Sequence, residues 1–298
     1  MKCIVTGGGG FIGSNIVDRL VNDGHEVIII DNLSSGKKEF LNKKAYFYNI
    51  DLSVNQDLYM FKDVDFVFHV AAFAEVDPSI KNPLPYHNAN INATLNILLA
   101  CRKYNIKRMI YSASSSCYGN PTEIPTTENA KIEPMSPYAL QKLVGEEYCR
   151  LFSNLYGLET VCLRYFNVYG NRQRNEGAYA LVTGIFLRQL NNGEVLTITG
   201  DGEQERDFVN VSDVVEANIL ASTSNKVGCG ESINIGNGVA ITINEIANAI
   251  SNNICYVEKR HEPDITLSDI SKAYELLGWK PKADIKKWIE NIKYSDLK

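Results

Sequence analysis

Two rhythms of apolar residues alternate through the first half of the chain. Short runs such as Cys3-Ile4-Val5 and Val27-Ile28-Ile29-Ile30 are continuous and rich in β-branched residues, as befits strands buried on both faces. Between them, apolar positions recur every three or four residues, first at Phe11, Ile12, Ile16, Val17, Leu20 and Val21. That is the period of a helix with one buried face. The pattern predicts strands at 3–6, 27–31, 45–50, 64–70, 108–112 and 160–164, and helices at 11–21, 88–104 and 137–156. The 88–104 helix carries Ile91, Leu95, Leu98 and Leu99 as its apolar face. Such alternation implies an α/β fold, a doubly wound parallel sheet with helices on both faces.

From about Tyr169 the texture changes to longer loops and shorter elements. Helices are predicted at 178–190, 212–222 and 268–277, the last ended by Gly278, and strands at 195–198 and 208–211. The strand at 208–211 and the helix after it are apolar enough to return to the main sheet. The division expected is a first domain over 1–168, rejoined by a segment near 206–225, and a smaller mixed domain over most of 169–298.

At 298 residues the chain can bury a large core. Its net charge of −5 and lack of a basic block make nucleic acid an unsuitable partner. The seven cysteines (3, 101, 117, 149, 162, 229 and 255) are odd in number and contain no Cys-x-x-Cys, which fits a reducing cytoplasm. Histidines 25, 69, 87 and 261 form no ligand spacing, so no metal is expected. The chain opens directly on a strand, which leaves no room for a signal peptide, and no apolar run is long enough to span a bilayer.

The first strand and helix are joined by Gly7-x-x-Gly10-Phe11-Ile12-Gly13. Glycines between a strand and a helix let the backbone approach a pyrophosphate, and the helix N-terminus favours its charge. This is the Rossmann context for a dinucleotide. Asp31 ends the second strand about 20 residues on, where an acid binds ribose hydroxyls and repels a 2′-phosphate. NAD is therefore expected over NADP. Asp51-Leu52 closes another short strand, either flanking the adenine or forming a turn.

Tyr138 and Lys142 lie four apart on the 137–156 helix, so they share one face, one turn apart. A lysine ammonium that close lowers a tyrosine pKa from its ordinary value of about 10. The run Ser112-Ala113-Ser114-Ser115-Ser116 offers a hydroxyl to complete a proton path. In a parallel sheet, Ser114 and Asn167 each follow a strand end, at the mouth where ligands bind.

Together these motifs resemble the extended short-chain dehydrogenase/reductase family, and within it the nucleotide-sugar 4-epimerases. The likeness is carried by Thr6-Gly7-x-x-Gly10-Phe11-Ile12-Gly13, Asp31-Asn32-Leu33-Ser34-Ser35-Gly36, His69-Val70-Ala71-Ala72, Ser112 to Gly119, Ser136-Pro137-Tyr138-Ala139-Leu140-Gln141-Lys142, Arg164 to Gly170, Arg206-Asp207-Phe208-Val209 and Asp269-Ile270-Ser271-Lys272. It extends over nearly the whole chain. The resemblance implies that Ser114, Tyr138 and Lys142 are catalytic. Asn32, Ala71, Ala72, Tyr138, Lys142 and Tyr165 would join the glycine loop in holding NAD. A UDP-sugar would meet Ser114, Ser115, Ser116, Asn167, Ala180, Arg206, Arg260, Asp264 and Ser268, mostly in the second domain. Read without the resemblance, Asn167 is a helix cap and Arg206 a surface ion pair. Where the family has Arg three residues before the late acid, this chain has His261, with Arg260 one step earlier. Either could fill the diphosphate position.

The resemblance also narrows the reaction. Related dehydratases and decarboxylases carry a carboxylate base after the catalytic Ser/Thr, where this chain has Ser115 and Ser116. Epimerisation at C4 through a 4-keto sugar, on tightly bound NAD, is the remaining outcome. Ser268, four residues after Asp264, occupies by resemblance the gate beside the sugar. A small residue there admits an N-acetyl group, so UDP-GlcNAc/UDP-GalNAc is expected, alongside UDP-Glc/UDP-Gal. Ser268 also reads as a helix N-cap. Alternatives are an epimerase of another sugar such as UDP-glucuronate, a reductase using NADPH, or a non-catalytic NAD-binding regulator. A homodimer through the 88–104 and 137–156 helices is implied by resemblance alone.

Overall fold

The computed structural model describes residues 1–175, 181–259 and 263–295. Its strands are β1 (Lys2–Thr6), β2 (Glu26–Ile30), β3 (Tyr46–Tyr48), β4 (Phe66–His69), β5 (Arg108–Ser114), β6 (Glu159–Tyr165), β7 (Asn167–Tyr169), β8 (Leu196–Thr199), β9 (Glu205–Asn210), β10 (Cys229–Ile235), β11 (Ala240–Thr242), β12 (Ile254–Val257) and β13 (Ile265–Thr266). Seven form one parallel sheet in the order β10-β6-β5-β4-β1-β2-β3. The order reverses between β1 and β4, which opens a crevice beyond their carboxyl ends.

Side chains alternate along each strand, so both sheet faces are buried. Cys3, Val5, Val27 and Ile29 join one core with the helices Phe11–Asn22 and Val211–Thr223. Ile4, Ile28 and Ile30 join the opposite core with the helices Ala93–Lys103 and Pro137–Tyr156. The expected 88–104 helix is interrupted: Asn88–Asn92 forms a π-helical turn before Ala93, and Leu99 faces outward while Ile97 is buried.

A second, smaller sheet sets β9 between β11 and β13, with β7 also paired to β9. Its core gathers Tyr169, Phe186, Leu196, Ile198, Phe208, Ile246 and Ile289. The expected return to the main sheet is therefore corrected. Helix Val211–Thr223 does pack on that sheet through Val214, Ala217 and Ala221, but strand Glu205–Asn210 belongs to the small one. The strand that returns is β10, paired with β6. Among the described residues, no helix is long and apolar enough to cross a membrane. All seven cysteines are free, and five are buried.

Candidate active site

A cleft of about 1300 Å³ opens at the carboxyl ends of the main-sheet strands and runs to the small sheet. Most predicted site residues line it: Gly7, Gly10, Phe11, Ile12, Gly13, Asp31, Asn32, Asp51, Leu52, Ala71 and Ala72 toward one end, and Ser114, Ser115, Ser116, Tyr138, Tyr165, Asn167 and Arg206 toward the other.

The glycines are required by close approach. Gly7 has φ +70°, and a Cβ there would lie 2.7 Å from Ala71 N. A Cβ on Gly13 would lie 2.2 Å from the Gly7 carbonyl oxygen. Gly10 gives the helix Phe11–Asn22 no side-chain cap, so its N-terminal end faces the cleft as bare backbone, the donor set a pyrophosphate needs. The Asp31 carboxylate accepts hydrogen bonds from Gly9 N (2.9 Å) and Leu33 N (2.7 Å), which fixes it at the rim. Asp51 accepts from Ser53 N in a turn, as one reading expected, and lines the cleft beside Leu52. These residues fit a dinucleotide.

Behind the glycine loop lies a chain of buried hydrogen bonds. Thr6 Oγ1 accepts from Val70 N and Ala71 N and meets His69 Nδ1 at 2.8 Å. His69 Nε2 meets Thr94 Oγ1 at 2.9 Å, and that hydroxyl donates to Asn90 O. The available donors assign the proton to His69 Nε2. Burial, reinforced by the Lys142 charge, pushes the imidazole pKa down to about 3, so it stays neutral. Asn90, on the π-helical turn, bonds Phe73 N and O and reaches Gln141 Oε1 at 2.9 Å. The chain thus runs from the glycine loop to the helix that carries Tyr138.

That helix is fixed by its ends. Ser136 caps it, accepting from Ala139 N, Pro137 opens it, and Gly157 closes it at φ +69°. Gly145 lets it pack onto β5, since a Cβ there would lie 2.1 Å from Tyr111 Oη. Lys142 is thereby driven inward. It does not line the cleft; its Nζ donates to Ser112 O at 2.7 Å and lies 4.9 Å from the Tyr111 ring centroid. Burial brings its pKa down to about 8. The expected lowering of the Tyr138 pKa by Lys142 is not what this geometry produces. Burial raises the Tyr138 phenol, and the hydroxyl of Ser114 is the group that opposes the rise. Ser114 also accepts from Ser116 N and Oγ. Tyr165 turns its hydroxyl into the core, to Ser112 Oγ and Asn218.

On the opposite wall, Asn167 donates to Asp207 O at 2.8 Å and approaches Thr266 Oγ1 at 3.5 Å. Arg206 lines the cleft and donates to the Glu205 and Asp264 carbonyls. Ser268 is corrected. It is buried and bound to Asp207, whereas Thr266 faces the cleft, because β13 pairs Thr266 with Arg206 and ends there. The Asp264 side chain is also not on the wall; it is paired with Lys259 at 3.0 Å and largely exposed. Ala180, Arg260 and His261 lie outside the described residues.

Sequence reasoning missed Thr266 and a strap at Asn171–Arg174. Arg172, at φ +71°, pairs with Asp18 at 2.7 Å and covers the Phe40 ring. Arg174 donates to Ser35 O at 2.8 Å and lies 3.7 Å from Glu75. Among the described residues, no group of three or more His, Cys, Asp or Glu side chains could hold a metal ion.

A family model for NAD dependent epimerases and dehydratases matches residues 3–236. The chain belongs to the NAD-dependent epimerase/dehydratase family. NAD is its cofactor. The chain is 37% identical over 299 residues to a UDP-glucose 4-epimerase of Mycolicibacterium smegmatis, spanning 95% of this chain and 94% of that protein. Its fold is similar to the UDP-N-acetylglucosamine 4-epimerase from Methanobrevibacter ruminantium, solved in complex with UDP-N-acetylmuramic acid (TM-score 0.93, 41% identity, 99% of this chain and 98% of that one). It is similar also to a Thermotoga maritima UDP-glucose 4-epimerase with UDP-glucose (TM-score 0.92, 37% identity, all of both chains).

Proposed function

We propose that the protein inverts C4 of a UDP-hexose through a transient 4-keto sugar. The observation that carries this reading is the cleft floor. Tyr138 and Ser114 face the same cavity as the glycine loop, and the two positions after Ser114 are hydroxyls. Bound NAD⁺ supplies a reversible two-electron acceptor for the sugar C4–H. Tyr138 Oη takes the C4 hydroxyl proton, directly or through Ser114 Oγ, and returns it when C4 is reduced. Burial alone keeps Tyr138 protonated, so the phenolate needs positive charge in the loaded cleft and the Ser114 hydrogen bond. Ser115 and Ser116 cannot serve as carboxylate bases at C5, which leaves turnover of the keto sugar and reduction on its other face.

Arg206 and Asn167 suit the diphosphate and its surroundings. With Thr266 in place of a large aromatic at the sugar end, an N-acetyl group is accommodated. UDP-GlcNAc/UDP-GalNAc is therefore the favoured pair, with UDP-Glc/UDP-Gal alongside. The cycle regenerates NAD⁺, so the cofactor stays bound. The helix Pro137–Tyr156 exposes Leu140, Leu151 and Leu155 along one stripe beside the exposed Leu99, which supports a homodimer. Light scattering tests that, and a monomer at all concentrations refutes it. The function is tested by following UDP-sugar anomeric NMR signals with the wild type and Tyr138→Phe. Turnover should vanish in the variant with NAD retained, and near-normal activity would remove the base assignment.

A further inference from the structure

β9 places two neighbouring side chains on opposite faces. Arg206 points to the cleft wall, while Asp207 points behind it and is fully buried. The Asp207 carboxylate accepts four hydrogen bonds, all from neutral donors: Asn237 N at 2.5 Å, Gly238 N at 3.1 Å, Ser268 N at 3.0 Å and Ser268 Oγ at 2.5 Å. Those donors come from two places. Asn237 and Gly238 form the turn after β10, the outermost strand of the main sheet, and Ser268 follows β13 of the small sheet. The junction has no spare room, since a Cβ on Gly236 would lie 2.2 Å from Ser268 Oγ and 2.7 Å from Asp207 Oδ2. Asp207 also offers its main-chain oxygen to Asn167.

We propose that Asp207 is a positioning residue that fixes the register between the two walls of the cleft. Tyr138 and Ser114 ride on the main sheet, whereas Arg206, Asn167 and Thr266 ride on β9, β7 and β13. One buried carboxylate bolts the second set to the first through the turn after β10. It touches no substrate; it sets where the nucleotide anchor stands relative to the proton-transfer groups. The idea rests on the UDP-sugar reading above. Asparagine in its place keeps the shape but turns one acceptor oxygen into a donor facing donors, so the clasp opens on one side.

The test uses the full-length, NAD-loaded protein and Asp207→Asn. Calorimetry with UDP alone and steady-state kinetics with UDP-hexoses are read beside NAD content and melting temperature. We expect UDP affinity to fall and KM to rise by about tenfold, the equivalent of one lost buried hydrogen bond, with NAD content unchanged and kcat affected less. Ser268→Ala, which deletes a single donor, should shift both in the same direction by a smaller factor. It serves alone where the Asn variant does not fold. A folded variant that melts lower yet binds UDP as the wild type does would overturn the proposal. Wild-type protein that binds UDP but turns over no UDP-hexose would sink the epimerase reading instead, and UDP binding would still decide the role of Asp207.

Discussion

Lys142→Met should make the cofactor-free protein more stable at neutral pH. The Lys142 ammonium is buried, and its pKa falls from 10.5 to about 8. Carrying such a group charged costs about 3 kcal/mol at pH 7. Methionine removes that cost and fills similar volume, but it loses the hydrogen bond to Ser112 O, a loss of about 1–2 kcal/mol. The variant should therefore gain about 1–2 kcal/mol. The sign depends on pH. Between pH 8 and 10.5 the unfolded chain binds a proton at this position that the folded chain has released, so wild-type stability rises with pH across that window. The penalty is complete below pH 8 and gone above 10.5, where the lost hydrogen bond leaves the variant the weaker of the two. Urea unfolding of both proteins, stripped of cofactor, at pH 7 and pH 10 measures the gap. A Met variant less stable than wild type at pH 7, or a gap that does not shrink with pH, would refute the reasoning.

Other outcomes follow from the same geometry. Ser114→Ala should lower kcat by about 10²–10³-fold with NAD retained, as for loss of a positioned proton-transfer partner, read by steady-state kinetics. Thr266→Tyr should suppress N-acetylated substrates before plain hexoses in a UDP-sugar panel, and equal losses would remove Thr266 from the sugar end. Arg164→Met leaves the buried Glu146 carboxylate, which Arg164 grips through Nε and Nη2, with only Ser232 Oγ among the described residues. Chemical denaturation should show a loss of about 3–5 kcal/mol, and the double variant Arg164→Met/Glu146→Leu should recover much of it.

Local signals were readable in the sequence where chemistry and geometry share one short stretch. The glycine turn, Asp31 and the Tyr138 helix each declare themselves within a few residues, and all lie where expected. What depends on distant pairing was not readable. β10 contains Glu231, Ser232 and Asn234, which hide it among polar segments. Two of them turn to side chains of other elements: Ser232 donates to Glu146, and Asn234 accepts from Tyr118 and meets Glu128 through its main chain. Phe208-Val209 looks suited to either sheet, and only its pairing with β7, with β11 beside the residues just before it, decides. That Thr266 rather than Ser268 faces the cleft has the same origin, because a two-residue strand has no period to read. Lys142 illustrates a further limit, since spacing gave its helix face but not its contact with the Ser112 carbonyl.

The cleft wall proposed for the substrate is assembled from three strands of two, three and six residues, contributed by stretches of chain far apart in sequence. The residues that fit the dinucleotide, by contrast, come from the turns after the first four strands, all within the first 72 residues. On the proposed reading, appetite for different sugars can therefore drift through changes at strand tips such as Thr266 without retuning the redox half, and one chassis can serve many glycans.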